Sequence, residues 1–151
     1  MSDPAPEQKL LFPRLKPFYD FLEPLSWLLI RCAAGLILAL YGLEKIVRGA
    51  EGMAPTFVKM GYTDPVPLIY FLTFVEFVGG LGIAVGLFTR FFAAAVTIEM
   101  AVIMFAHYLP HGFSLLNRGY EFVLLWGLVA LAIWWRGGGP YSIDRKIGKE
   151  L

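Results

Sequence analysis

The fold is decided by an apolar run at residues 26–48, which reads SWLLIRCAAGLILALYGLEKIVR. A helix rises about 1.5 Å per residue, so a run of this length can cross a hydrocarbon core of roughly 30 Å. Three further apolar runs follow at residues 67–88, 91–109 and 118–136. The sequence therefore predicts an all-α membrane protein whose core is a four-helix transmembrane bundle.

Composition points to the same class of protein. Hydrophobic residues make up 58% of the 151 residues and charged residues 17%, and the mean hydropathy is +0.64, which is well above the balance of a soluble domain. Tyr62 and Tyr108 lie near predicted span ends, where aromatic side chains favour headgroup depth. The net charge is only +1, which argues against a nucleic-acid partner. The expected partner is the lipid bilayer.

Three regions follow from this pattern. Residues 1–25 are predicted to form an interfacial N-terminal segment that is broken by Pro13 and Pro17. Residues 26–136 form the transmembrane domain, and residues 137–151 form a cytoplasmic tail. The first apolar run starts too late for a cleavable signal peptide, so we expect the N-terminus to be retained.

The distribution of basic residues predicts the orientation. Basic residues near span ends favour the cytoplasm. Those on the side of both termini are Lys9, Arg14, Lys16, Arg90, Arg136, Arg145, Lys146 and Lys149, and those on the opposite side are Arg48, Lys59 and Arg118. Both termini are therefore predicted to be cytoplasmic.

Cofactor motifs are missing from the sequence. Cys32 is the single cysteine, so neither an intrachain disulfide nor a CxxCH haem site can form. Pro110 lies between His107 and His111 and disrupts the helical spacing that would let the two bind one metal. We therefore expect no intrinsic cofactor and no metal site.

Ionisable residues inside the predicted spans are the candidate functional residues. Each charge at mid-membrane costs about 2.5 to 3.5 kcal/mol, so such residues face inward, find partners and often mark ligand or proton sites. The candidates for ligand binding or proton handling are Arg31, Lys45, Glu76, Glu99, His107 and Glu121. No catalytic role is assigned to any of them.

Helical phase and depth predict how the first of these candidates pair. Arg31, Gly35, Gly42 and Lys45 share one face of the first span at 100° per residue. Arg31 is expected about 8 Å from the inner end and Glu99 about 12 Å from it. Arg31 and Glu99 are therefore predicted to form an ion pair.

A second polar cluster is predicted nearer the outer surface. Lys45, His107 and Glu121 come out at roughly 22 to 28 Å from the inner end, and Glu76 at about 18 Å could bridge the two clusters. Gly79 and Gly80 share a side with Glu76, which predicts that this carboxyl points into the bundle. Two interpretations stay open, namely structural ion pairs that hold the bundle in register and a ligand or proton site.

Four short motifs carry a family resemblance. They are YGLEK at residues 41–45, EFVGG at 76–80, GLFTR at 86–90 and GGGPYSID at 137–144, and Arg31, His107 and Glu121 stand in the matching order. With these motifs the chain resembles the DoxX family of small bacterial membrane proteins. It departs from the family pattern where Pro140 follows three glycines and where Ile143 replaces leucine.

The resemblance implies a multi-pass protein of the bacterial inner membrane that is linked to oxidoreductases. The function it favours is a membrane subunit of a quinone-linked oxidoreductase or electron-transfer complex, whose polar cluster binds a quinone headgroup or an anion. Because the chain has no redox motif, a cofactor-bearing partner protein would carry the electrons. The alternatives are a structural or assembly subunit of a larger respiratory or photosynthetic complex, and small-solute or proton transport, for which a homo-oligomer is open. Whether the chain is an enzyme is also open.

Overall fold

A computed structural model describes residues 10–149, and this part of the chain is helical with connecting turns and loops. A 3₁₀ turn at Pro13–Leu15 leads into α1 (Lys16–Arg48), which is followed by α2 (Ala50–Lys59). Next come α3 (Val66–Val85) and α4 (Thr89–His111). A 3₁₀ turn at Leu115–Asn117 precedes α5 (Glu121–Arg136), and α6 (Ile143–Ile147) lies in the C-terminal segment.

Both α3 and α4 contain one π-helical segment. Helix α3 consists of Val66–Phe74, the π-helical segment Val75–Gly79 and Gly80–Val85. Helix α4 consists of Thr89–Ile103, the π-helical segment Met104–Tyr108 and a final 3₁₀ turn at Leu109–His111. A π-helical segment changes the direction in which the following side chains point and is common at functional sites.

Helix α1 is one unbroken helix of 33 residues, about 50 Å long at 1.5 Å per residue. The predicted break at Pro17 is wrong. This proline lies in the first turn of the helix, where its missing N–H would have had no partner. Residues 16–25 therefore extend the first span as a single helix, while residues 1–9 of the predicted interfacial segment lie outside the described residues.

Three helices within residues 10–149 are long and apolar enough to cross a membrane, and they correspond to the first three predicted spans. Their ends differ from the prediction by a few residues. The second span stops at Val85 because Gly86 takes the left-handed conformation. The fourth predicted span forms a helix of 16 residues, about 24 Å long, which starts at Glu121 because Arg118 is also left-handed with φ 58°.

Glycines bring α1 and α3 into direct backbone contact. A Cβ added at Gly35 would lie 2.5 Å from both the Gly80 oxygen and the Ala84 nitrogen, and one at Gly80 would lie 2.6 Å from the Ala39 nitrogen. Small residues at such positions are what let membrane helices approach closely. Helix α5 packs along α4, and the buried core includes Val96 and Ile133.

The C-terminal segment folds back onto the end of the bundle at which α4 begins and α5 ends, which is called the inner end below. The Trp27 indole N–H donates to the Gly137 carbonyl at 3.1 Å. Asp144 accepts hydrogen bonds from the Phe88 N–H at 2.8 Å, the Thr89 N–H at 2.9 Å and the Thr89 hydroxyl at 2.7 Å. The C-terminal segment thus docks on the bundle, and the Asp144 carboxylate caps the first turn of α4.

Candidate functional site

The main candidate site is a cavity of about 460 Å³ between α1, α3 and α4, with α2 and the following turn also contributing to its wall. Its surface is largely apolar and includes Phe57, Phe71 and Val102. Four of the six predicted candidates line it, namely Lys45, Glu76, Glu99 and His107. An apolar cavity with a few convergent polar groups is the usual form of a small-molecule site.

Lys45 and Glu76 form an ion pair across α1 and α3. The side chain of Lys45 is 16% exposed and that of Glu76 is 7% exposed, so the pair is mostly shielded from solvent and lipid. Lys45 continues the face of α1 on which Arg31, Gly35 and Gly42 are buried. The predicted common face of α1 is confirmed, and so is the inward direction of Glu76.

Glu99 on α4 is buried beside this pair. The residue is 7% exposed, and its carboxyl group lies close enough to the Glu76 carboxyl and the Lys45 ammonium for electrostatic interaction. Neither of its oxygens, however, has a partner at the distance and angle of a hydrogen bond. Glu99 thus presents hydrogen-bonding capacity that is not used up by the protein groups described.

His107 on α4 forms the other polar part of the cavity wall. Its Nε2 lies 2.9 Å from the Tyr62 hydroxyl, and the two rings are 5.6 Å apart between centroids. Tyr62 and Tyr108 also line the cavity. The sequence placed both tyrosines only in an interfacial belt, because nothing in their spacing shows that one of them would meet His107.

The two π-helical segments carry site residues. Glu76 lies in Val75–Gly79, and His107 and Tyr108 lie in Met104–Tyr108. A π turn adds one residue to the hydrogen-bonded ring and so rotates the side chains that follow it. In both spans the backbone thus departs from a regular α-helix at the positions whose polar side chains line the cavity.

A second cavity of about 220 Å³ lies on another side of Glu76 and shares Ile103 and Tyr108 with the main one. Its wall includes Tyr41 and Trp126. The indole nitrogen of Trp126 is buried and has no hydrogen-bond partner among residues 10–149. Glu76 therefore lines both cavities.

Arg31 is not part of this site, and the predicted ion pair between Arg31 and Glu99 is not formed. Arg31 is 1% exposed, and its Nη2 donates to the Tyr141 carbonyl at 3.0 Å. Its guanidinium also occupies the space where a Cβ at Gly86 would lie. Helical rise predicted the depth of Arg31, but the returning C-terminal segment supplies its partner.

Glu121 is also separate from the predicted outer cluster. It is exposed at the start of α5, and its carboxylate accepts the Leu115 N–H at 3.1 Å. Arg118, in the left-handed conformation, ends the 3₁₀ turn at Leu115–Asn117. The chain therefore reverses there and brings Glu121 next to that turn. The group stabilises this loop and does not line the cavity.

Within residues 10–149 no group of three or more His, Cys, Asp or Glu side chains has the geometry of a metal site. The polar groups of the cavity are instead two carboxyls, an ammonium, an imidazole and tyrosine hydroxyls. Such a set can hold a ligand by hydrogen bonds and can accept or donate protons.

Three apolar helices of spanning length around a buried polar cluster define a helical integral membrane protein with an internal polar cavity. Residues 26–109 match the DoxX family, and the chain belongs to that family of membrane proteins. No curated protein and no solved structure matches the chain. The matched residues include five of the six predicted candidates, while Glu121 and the C-terminal segment lie beyond them.

Proposed function

We propose that this protein is a four-span subunit of a quinone-linked oxidoreductase in the bacterial inner membrane, and that its main cavity binds the quinone headgroup. In this proposal both termini face the cytoplasm. The observation that carries it is the cavity of about 460 Å³, which combines apolar walls with Lys45, Glu99 and the His107–Tyr62 pair.

The fourth crossing is supported by the character of α5. This helix packs along α4, and large apolar side chains such as Leu125, Leu128 and Trp135 are exposed on its outer surface. Its length of about 24 Å is short of a 30 Å core, and a bilayer adapts to a short span by local thinning. The excess of basic residues at the end with both termini supports the cytoplasmic placement of that end.

The cavity suits a quinone in size and in chemistry. Ligand cavities usually measure roughly 300 to 1,000 Å³, and this one falls within that range. A quinone ring is apolar on its faces and carries carbonyl oxygens that accept hydrogen bonds. Lys45, Tyr62 and His107 can donate such bonds, and Glu99 can take part in the proton transfer that accompanies quinone reduction.

The anion, which was the other ligand predicted for the polar cluster, is a poorer match to the charges. Glu76 and Glu99 bring two carboxyls to the cavity, whereas Lys45 brings one ammonium that is already paired with Glu76. Arg31, the other buried cation on the same face of α1, lies at the inner end and binds the Tyr141 carbonyl. A neutral headgroup with hydrogen-bonding oxygens avoids the repulsion that an anion would meet.

Electrons have to come from a partner in this proposal. Quinone reduction or oxidation needs a redox cofactor, and the sequence carries no motif for one. We therefore infer a cofactor-bearing partner protein that delivers electrons to, or takes them from, the quinone held here.

The test is a titration of the purified protein in detergent with a short-tailed quinone, followed by tryptophan fluorescence. His107→Ala removes a cavity group and should weaken binding at least about fivefold, the effect of losing roughly 1 kcal/mol of hydrogen bonding. His111→Ala is the matched control, because His111 is exposed and outside the cavity. Absence of saturable binding to the unmodified protein would contradict the proposal and favour the structural or assembly subunit.

A further inference from the structure

A second polar feature lies at the inner end of the bundle, away from the main cavity. It is a groove of about 340 Å³ between the end of α5 and the C-terminal segment. Three of its lining residues are basic, namely Arg136, Arg145 and Lys149, and one is acidic, Asp144. The proposed function makes no use of this groove.

The single carboxylate of Asp144 offsets only part of the charge of the three basic residues. Asp144 is 3% exposed, and its two carboxylate oxygens accept three hydrogen bonds from Phe88 and Thr89. Among residues 10–149 neither Arg136, Arg145 nor Lys149 has a carboxylate within ion-pair distance. Within residues 10–149 the groove therefore carries an excess of positive charge.

The groove is held in shape by contacts to the membrane domain. The Arg136 guanidinium lies 4.6 Å from the centre of the Trp27 ring, a distance at which cation and ring attract each other. The Ser142 hydroxyl donates to the Gly139 carbonyl at 2.8 Å and accepts the Arg145 N–H at 3.2 Å. The basic side chains thus extend from a backbone that is fixed before any ligand binds.

Large apolar side chains surround these cations in the sequence and are exposed. Trp135 is 70% exposed, Ile147 58% and Tyr141 55%. Cations beside exposed aromatic and aliphatic side chains at the end of a membrane helix match the boundary between headgroups and acyl chains. A ligand that suits this groove would therefore have a negatively charged group attached to a hydrocarbon chain.

We propose that this groove binds the phosphate of an anionic phospholipid, with Arg136, Arg145 and Lys149 around the headgroup and the acyl chains along Trp135. Basic pockets at the cytoplasmic ends of membrane helices are suited to such headgroups. The site is independent of the quinone cavity.

The test uses the purified full chain in a neutral detergent and short-chain phosphatidylglycerol as the probe, with short-chain phosphatidylcholine and inorganic phosphate as parallel arms. Thermal unfolding and tryptophan fluorescence report binding. Arg145→Gln should weaken phosphatidylglycerol binding about fivefold, as expected for one cation near a headgroup. Lys146→Gln is the matched control, because it removes the same charge from the same short helix but does not line the groove.

Arg145→Lys keeps the charge and should retain most of the binding, which separates a charge effect from a change in folding. The proposal is overturned if phosphatidylcholine binds as well as phosphatidylglycerol, or if Arg145→Gln and Lys146→Gln behave alike. An equal effect of inorganic phosphate would identify a soluble anion and would also overturn the lipid assignment.

Discussion

Removal of the Lys45 ammonium should destabilise the protein strongly. Lys45→Met keeps the approximate length of the side chain but leaves Glu76, whose side chain is 7% exposed, without its ion-pair partner and next to Glu99. Breaking a buried pair by removing one partner costs about 3 to 5 kcal/mol, because the other charge stays buried. The equilibrium for unfolding should therefore shift by more than about 100-fold.

A double-mutant cycle separates the pair from the rest of the protein. Glu76→Gln in the Lys45→Met background removes the stranded carboxylate, so the double variant should be more stable than the sum of the two single changes implies. The coupling energy should be about 1 to 3 kcal/mol, as for neighbouring charged groups in contact. Equilibrium unfolding in mixed SDS and neutral-detergent micelles, followed by circular dichroism, measures all four proteins.

Glu44 and Arg48 provide the control cycle on the same helix. They form an ion pair four residues apart, but their side chains are 52% and 63% exposed. Exposed pairs of this kind contribute about 0.3 to 0.5 kcal/mol. A coupling energy for Lys45 and Glu76 no larger than that for Glu44 and Arg48 would refute the reasoning that burial makes the inner pair important.

Two further changes test the packing of the bundle. Gly35→Ala should lower the free energy of unfolding by about 1 to 3 kcal/mol, because the added methyl overlaps the backbone of α3. Gly52→Ala is the control, because its added methyl meets no atom within 4 Å. This control should leave the unfolding midpoint within error or raise it. Asp144→Asn should lower the free energy of unfolding by about 1.5 to 3 kcal/mol, because it weakens charge-assisted hydrogen bonds to the first turn of α4. Asp64→Asn at an exposed position should have no effect, and equal losses from both aspartate changes would contradict the capping role.

Much of the fold follows from the sequence because lipid imposes simple requirements. Apolar length predicted the first three spans, since a helix must cover the hydrocarbon core. The phase of an ideal helix predicted that Arg31, Gly35 and Gly42 share a buried face, and the structure confirms it. Family motifs gave the correct family, which the match over residues 26–109 shows.

The contact partners of the buried polar side chains could not be derived in the same way. Helical rise gives the depth of Arg31 and Glu99 but not which neighbouring element reaches them, and here the C-terminal segment supplies the acceptor for Arg31. The π-helical segment at Met104–Tyr108 also changes the direction of His107 relative to an ideal helix. The contact of His107 with Tyr62 depends on this local geometry and on the path of the loop before α3.

Photolabelling with an azido derivative of a short-tailed quinone tests the central proposal most directly, because it reports the position of the bound ring. After digestion and mass spectrometry, the label should be found on the stretches that line the main cavity, which are residue 45 and residues 57–62, 68–76 and 95–108. Excess unlabelled quinone should prevent this labelling. Labelling confined to other parts of the chain, or labelling that unlabelled quinone does not reduce, would contradict a quinone site in this cavity.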